Sequence, residues 1–92
     1  MELEYDPAKN ATNIRDRQLS FECARDFDFE SALIGTDDRH DYGETRYVAL
    51  GYLGDRLHVL CFTETATGIR VISFRKANQR EVKRYVEAQT ND

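Results

Sequence analysis

The stretch that most limits what this chain can become is Arg70-Val71-Ile72-Ser73-Phe74-Arg75-Lys76-Ala77, with the segment after it. β-Branched and aromatic residues from Ile69 to Phe74 predict a strand, and it ends in two consecutive cations. Asn78 then reads as a helix N-cap, and Glu81, three positions later, completes a capping box. Val82, Tyr85 and Val86 give that helix one apolar stripe, with Arg80, Lys83 and Arg84 on its other sides. An apolar strand thus delivers Arg75 and Lys76 to the start of a helix. Free N–H groups there and nearby guanidinium groups both favour a phosphate. One geometric condition applies. Arg70 and Arg75 are five apart, so a regular strand sends them to opposite faces. They converge only if the strand bends, bulges or ends before Arg75.

The N-terminal half has a different grammar. After an extended Leu3-Glu4-Tyr5, Asp6-Pro7 predicts a helix start, and Ala8, Ala11 and Ile14 give a narrow apolar stripe to about Gln18. Ser20 looks like a second N-cap. Phe21, Ala24 and Phe27 recur every three residues, predicting a short second helix to about Asp28 and a helical hairpin. The period then changes to two. Strands are expected at Ser31–Ile34, Thr45–Leu53, Leu57–Thr63 and Ile69–Arg75. Gly54-Asp55 and Thr65-Gly68 mark turns between them, and a polar loop spans Thr36–Gly43. The last helix is expected from Asn78 to about Gln89, and Thr90-Asn91-Asp92 as a frayed tail. The expected class is α+β: two N-terminal helices, an antiparallel meander of three to four strands, and a C-terminal helix in one domain spanning residues 1–92. The last two strands are apolar on both parities, so they should sit centrally and be covered on both faces.

Composition adds boundaries. No apolar run approaches the roughly 20 residues that cross a bilayer. The acidic Met1-Glu2-Leu3-Glu4 lacks the features of a signal peptide, so cytoplasmic residence is expected. Cys23 and Cys61 each lie in an apolar pattern and read as reduced core residues. The net charge of −4 argues against a nucleic-acid ligand, but its distribution does not. Residues 1–44 carry −7 and residues 45–92 carry +3, so a polyanion has a local footing in the second half.

Four groups of residues offer chemistry. Arg46, Arg56, Arg70, Arg75, Lys76 and Arg80 make either a phosphate-binding surface or surface charges paired with Glu44, Glu64 and Glu81. Asp37, Asp38, His40 and Asp41 are potential ligands for a divalent metal, but their spacing matches no compact motif and a solvated loop explains them. His58, in an apolar strand, is either a general acid or base or a core histidine satisfied by one hydrogen bond. Tyr42, Tyr47, Tyr52 and Tyr85 either stack on bases or pack with a wet hydroxyl, Tyr85 on the buried stripe of its helix.

The ordered set of segments resembles the BrnT family of bacterial type II toxins. The matching pieces are Tyr5-Asp6-Pro7-Ala8-Lys9 with Asn13; Ser20-Phe21-Glu22 with Ala24 and Phe27; Glu44-Thr45-Arg46; Gly51; Arg56-Leu57; Thr63-Glu64; and Arg70 to Ala77 with Glu81 and Tyr85. The resemblance implies a RelE-like fold and an endoribonuclease that blocks translation without metal or cofactor. It also implies a BrnA-type ribbon-helix-helix antitoxin that neutralises the toxin, assembles with it as a hetero-tetramer, and meets DNA on its behalf. For cleavage by a ribose 2′-hydroxyl, Arg70 and Arg75 are the expected phosphate stabilisers, assisted by Lys76. Lys9, Glu64 and His58 are candidates for proton transfer; Arg46, Arg56, Arg80 and Tyr85 are candidates for RNA binding. Where the family usually has His-Gly, this chain has Arg17-Gln18, which motivates a rival reading as a binding module without catalysis.

Overall fold

The computed structural model describes residues 1–90. The central fact is a five-stranded sheet in the order β1-β5-β4-β3-β2. Its strands are β1 (Glu2–Tyr5), β2 (Leu33–Thr36), β3 (Tyr47–Leu53), β4 (Arg56–Glu64) and β5 (Gly68–Lys76). The helices are α1 (Pro7–Arg17) and α2 (Gln79–Thr90), with a 3-10 helix at Phe21–Asp26. β2 to β5 form the expected antiparallel meander, and β4 and β5 are interior strands.

Three expectations are corrected. The extended N-terminus is a fifth strand, parallel to β5 with Leu3 opposite Ile69, so the sheet is mixed. Its signal was the alternation of exposed Glu2 and Glu4 with half-buried Leu3 and Tyr5, too short to weigh alone. The second helix is a 3-10 turn that ends at Asp26, not an α-helix. An exact period of three is the pitch of a 3-10 helix, and it sends Phe21 and Ala24 into the core. The strand expected at Ser31–Ile34 is displaced to Leu33–Thr36.

The meander separates two cores. On one face Ala49, Leu60, Phe62, Ile69, Val71 and Phe74 pack against Leu19, Phe21, Ala24 and Phe27. On the other, Leu50, Leu57 and Val59 pack against Ala77 and Tyr85, so α2 covers one end of that face.

The register shows why β5 can serve both. Cys61 pairs with Ser73 but the next residue, Phe62, pairs with Val71, leaving Ile72 as an extra residue. This bulge reverses the alternation. Ile69 and Val71 point into the first core, and Phe74, three positions after Val71, points there too. Arg70, Ser73 and Arg75 therefore share the α2 face, meeting the condition set by their odd spacing.

Termini are capped as expected. Asp6 Oδ1 accepts from Ala8 N–H and Ser20 Oγ from Glu22 N–H. Asn78 and Glu81 form the reciprocal capping box, at 2.9 and 2.8 Å. The apolar stripe of α1 is a further correction: Ala8, Ala11 and Ile14 face outward, and Ile14 is 45% exposed. α1 docks through asparagines instead. Asn13 Nδ2 donates to Phe74 O and Leu19 O, each at 2.9 Å, and Asn10 Oδ1 accepts from Phe21 N–H. β1 pairs with β5 only as far as Val71, so Asn13 satisfies a carbonyl beyond the end of that ladder. Gln18 closes α1 in the left-handed region, φ 53°, a position that favours glycine. The turn thus keeps a glycine-like conformation without the glycine.

Candidate functional site

The α2 face beyond the helix is open and carries the cations. Arg75 lies opposite Val59 and Ser73 opposite Cys61, while Arg70 lies opposite Thr63, further along the same face. A groove of about 500 Å³ runs over the first of these, lined by Ser73, Arg75, Cys61, Val59, Asp37, Arg39 and Glu81 among others. Cys61 and Cys23 are both free thiols, half-buried, and burial raises the Cys61 pKa.

Four guanidiniums of this face, those of Arg39, Arg46, Arg70 and Arg75, are held by carboxylates. Arg75 makes a two-pronged pair with Glu81, at 2.8 and 2.9 Å. Arg70 Nη2 donates to both oxygens of Glu44, at 2.6 and 2.8 Å. Arg46 lies 3.4 Å from the same carboxylate and stacks on Tyr42, its Cζ 3.9 Å from the ring centroid. Arg39 pairs with the nearly buried Asp37. The cations are therefore gathered on one face and paired, a combination of the two sequence readings.

The other candidates separate. Lys76 pairs in register with His58, on the face opposite Arg75. His58 is buried among core residues, its Nδ1 2.9 Å from Arg56 O and its ring against Phe74, so it does not reach the groove. Glu64 follows Phe62 by two on β4 and sits beside Tyr47 on that same opposite face, where a hydrogen bond to its carboxylate, and then its charge, raise the phenol pKa. Arg56 is at the other end of β4 from Thr63, beside the Gly54-Asp55 turn. Arg80 is exposed on the first turn of α2. Tyr85 is buried, donates to Ser31 O at 3.0 Å and meets Tyr52 edge-on, which leaves no free ring face for a base. Lys9 lines a separate cleft of about 670 Å³ between α1 and β5, and Ser73 lines both that cleft and the groove.

The acidic loop does not gather as a ligand set. Asp37 is engaged by Arg39, Asp38 accepts from Thr36 and Asp41 from Gly43 N–H. Among the described residues no group of three or more His, Cys, Asp or Glu side chains is placed to hold a metal. Sequence reasoning missed Arg39 and Ser73 as groove residues. Arg39 carries no local signal, but Ser73 is the one hydroxyl in an otherwise apolar run and marks the bulge.

The Arg75 guanidinium and the Asn78 N–H hold the Glu81 carboxyl down at about 2, against an ordinary value of 4.5. A depressed folded-state pKa gives stability that is full above the unfolded value and lost as pH falls through the folded one. Glu81 should thus contribute its stabilisation above about pH 4.5 and lose it towards pH 2. The Arg75 side chain is 36% exposed, so screening reduces the contribution to about 1 kcal/mol. Urea unfolding of the parent and Glu81→Gln at pH 6 and pH 2.5 should show a stability gap at pH 6 that narrows at pH 2.5. A gap independent of pH would contradict this account.

Among the described residues no helix is long and apolar enough to cross a membrane. No curated protein matches the chain. A family model described as the ribonuclease toxin, BrnT, of a type II toxin-antitoxin system matches residues 5–81 of the 92. The matched span runs from the end of β1 to the first turn of α2, and so includes Glu44, Arg70, Arg75 and Glu81. An antitoxin partner comes with such a system, and by that match this chain belongs to the BrnT family of ribonuclease toxins.

Proposed function

We propose that this chain is a metal-independent endoribonuclease of a RelE-like kind, working in the cytoplasm and neutralised by a BrnA-like ribbon-helix-helix antitoxin. The RNA's own 2′-hydroxyl attacks the adjacent phosphorus. The new O2′–P bond forms, the P–O5′ bond breaks, and the products are a 2′,3′-cyclic phosphate and a 5′-hydroxyl. A base takes the 2′ proton and an acid gives one to the leaving 5′ oxygen. Arg70 and Arg75 stabilise the charge that accumulates on the phosphorane oxygens. Among the proton-transfer candidates, Lys9 lines a cleft that shares Ser73 with the groove, and its amine N–H is the donor to the leaving oxygen.

The observation that carries this reading is the Ile72 bulge, which turns Arg70, Ser73 and Arg75 to one open face. Their carboxylate partners do not block it. Ion pairs open to water are weak, while a phosphate offers the same fork geometry in a strand already bound at other points.

A second reading has its own support. With Arg70 and Arg75 both paired to carboxylates, and His58 and Glu64 on the other side of the sheet, the chain suits a module that has lost catalysis and serves its antitoxin in repression. Expression without the antitoxin separates the two. Growth arrest with RNA fragments ending in cyclic phosphate is expected; harmless accumulation of folded protein would favour the module.

A further inference from the structure

The cleft between α1 and β5 is larger than the Arg75 groove and meets it at Ser73. Its wall on α1 is one continuous helical stripe: Lys9, Thr12, Asn13, Asp16 and Arg17. Ala8 lines the cleft as well; of this stripe only Asn13 is half-buried against the sheet, while Lys9, Thr12, Asp16 and Arg17 stay exposed along the cleft. Asn13 is consumed in docking. Asp16 is held by Arg15, with Nε 3.0 Å from Oδ1, and stays anionic because that guanidinium lowers its pKa. Lys9 and Arg17 remain. Among the described residues neither makes an ion pair, in contrast to Arg39, Arg46, Arg70 and Arg75.

They stand eight residues apart on one helix, roughly 12 Å along its axis. Lys9 is at the end of α1 that follows β1, and Arg17 at the far end. Asn13, midway between them, bonds the carbonyl next to Ser73, so an extended anion leaving the groove there would have Lys9 to one side and Arg17 to the other. Free cations favour such a ligand more than paired ones do, since no internal carboxylate has to be displaced.

We propose that this cleft is a second subsite for the RNA backbone, in which Arg17 holds a phosphate beyond the one that is cleaved. The subsite rests on the ribonuclease reading above and extends it. It gives the enzyme a reason to prefer longer strands over a dinucleotide.

The test is binding of 2′-O-methyl oligoribonucleotides, which lack the attacking hydroxyl, to the antitoxin-free protein. A dinucleotide fills the groove alone, and an octanucleotide also reaches the cleft. The parent protein should bind the octanucleotide more tightly. Arg17→Glu should lower octanucleotide affinity on the order of tenfold at 0.15 M salt and flatten its salt dependence, with dinucleotide affinity unchanged. Arg17→Lys should retain the length preference. Arg17 is exposed, so thermal unfolding of Arg17→Lys should match the parent, while Arg17→Glu, which sets an anion beside Asp16 in the last turn of α1, should melt only slightly lower and stay folded. Octanucleotide binding that ignores Arg17→Glu, or an equal loss for both lengths, would overturn the subsite and leave the ribonuclease reading standing. A parent protein that binds neither length would overturn both.

Discussion

Arg75→Ala is expected to lower RNA cleavage by about 10²–10³-fold, the usual cost of losing one preorganised donor to developing charge. The variant should remain folded. Arg75 is 36% exposed and its pair with Glu81 contributes about 1 kcal/mol, a small part of a domain's stability. Glu81 would keep its bond from Asn78 N–H, so the start of α2 stays capped. Glu81→Gln makes the complementary case. Glutamine preserves the capping box but withdraws the competing charge from Arg75. That variant should lose a little stability and bind RNA at least as tightly as the parent. Single-turnover cleavage with urea unfolding on both variants checks the assignment. An Arg75→Ala protein that cleaves at the parent rate would remove Arg75 from the site, and a Glu81→Gln protein that loses RNA binding would show that the carboxylate assists rather than masks.

The sequence carried these elements unequally, and the reasons are physical. The α2 start was legible because a capping box uses residues three apart, with no tertiary information needed. The order of the meander was legible because hairpin turns carry their own residue signature at Gly54-Asp55. β1 was not, because four residues acquire strand identity only from a partner, and that partner, Gly68–Val71, lies more than sixty positions away. The orientation of α1 was misread for a related reason. Ala8, Ala11 and Ile14 form an apolar stripe of too little area to outweigh the bonds of Asn10 and Asn13, one of which satisfies a β5 carbonyl. The cation site depended on parity. Arg70 and Arg75 pointed to chemistry by type, but their placement on one face needed an extra residue at Ile72, and the only local trace of it was a serine between Ile72 and Phe74. Lys76 joins them by sequence proximity and Glu64 and His58 by their proton-transfer chemistry, but the pleat sends all three to the other face.

The bulge is held in place by Phe74, which makes Phe74→Ala the substitution with the largest expected effect on stability. The side chain is fully buried and meets Phe27 edge-on at 6.1 Å and His58 at 5.5 Å. Its loss should cost about 3–5 kcal/mol through lost burial and the cavity left behind. Small domains have about 5–15 kcal/mol in total, so the variant should sit at the edge of folding. Ile72 provides the control. It is the extra residue, only half-buried, and Ile72→Ala should cost about 1 kcal/mol because it frees little apolar area. Without the bulge the ranking would vanish: regular alternation from Ile69 and Val71 would bury Ser73 and turn Ile72 and Phe74 together to the Arg70 face. Urea midpoints for the two variants therefore read the register directly. The same register brings Arg75 to the face of Arg70, so equal costs at positions 72 and 74 would undo both the packing account of β5 and the shared phosphate site proposed on it.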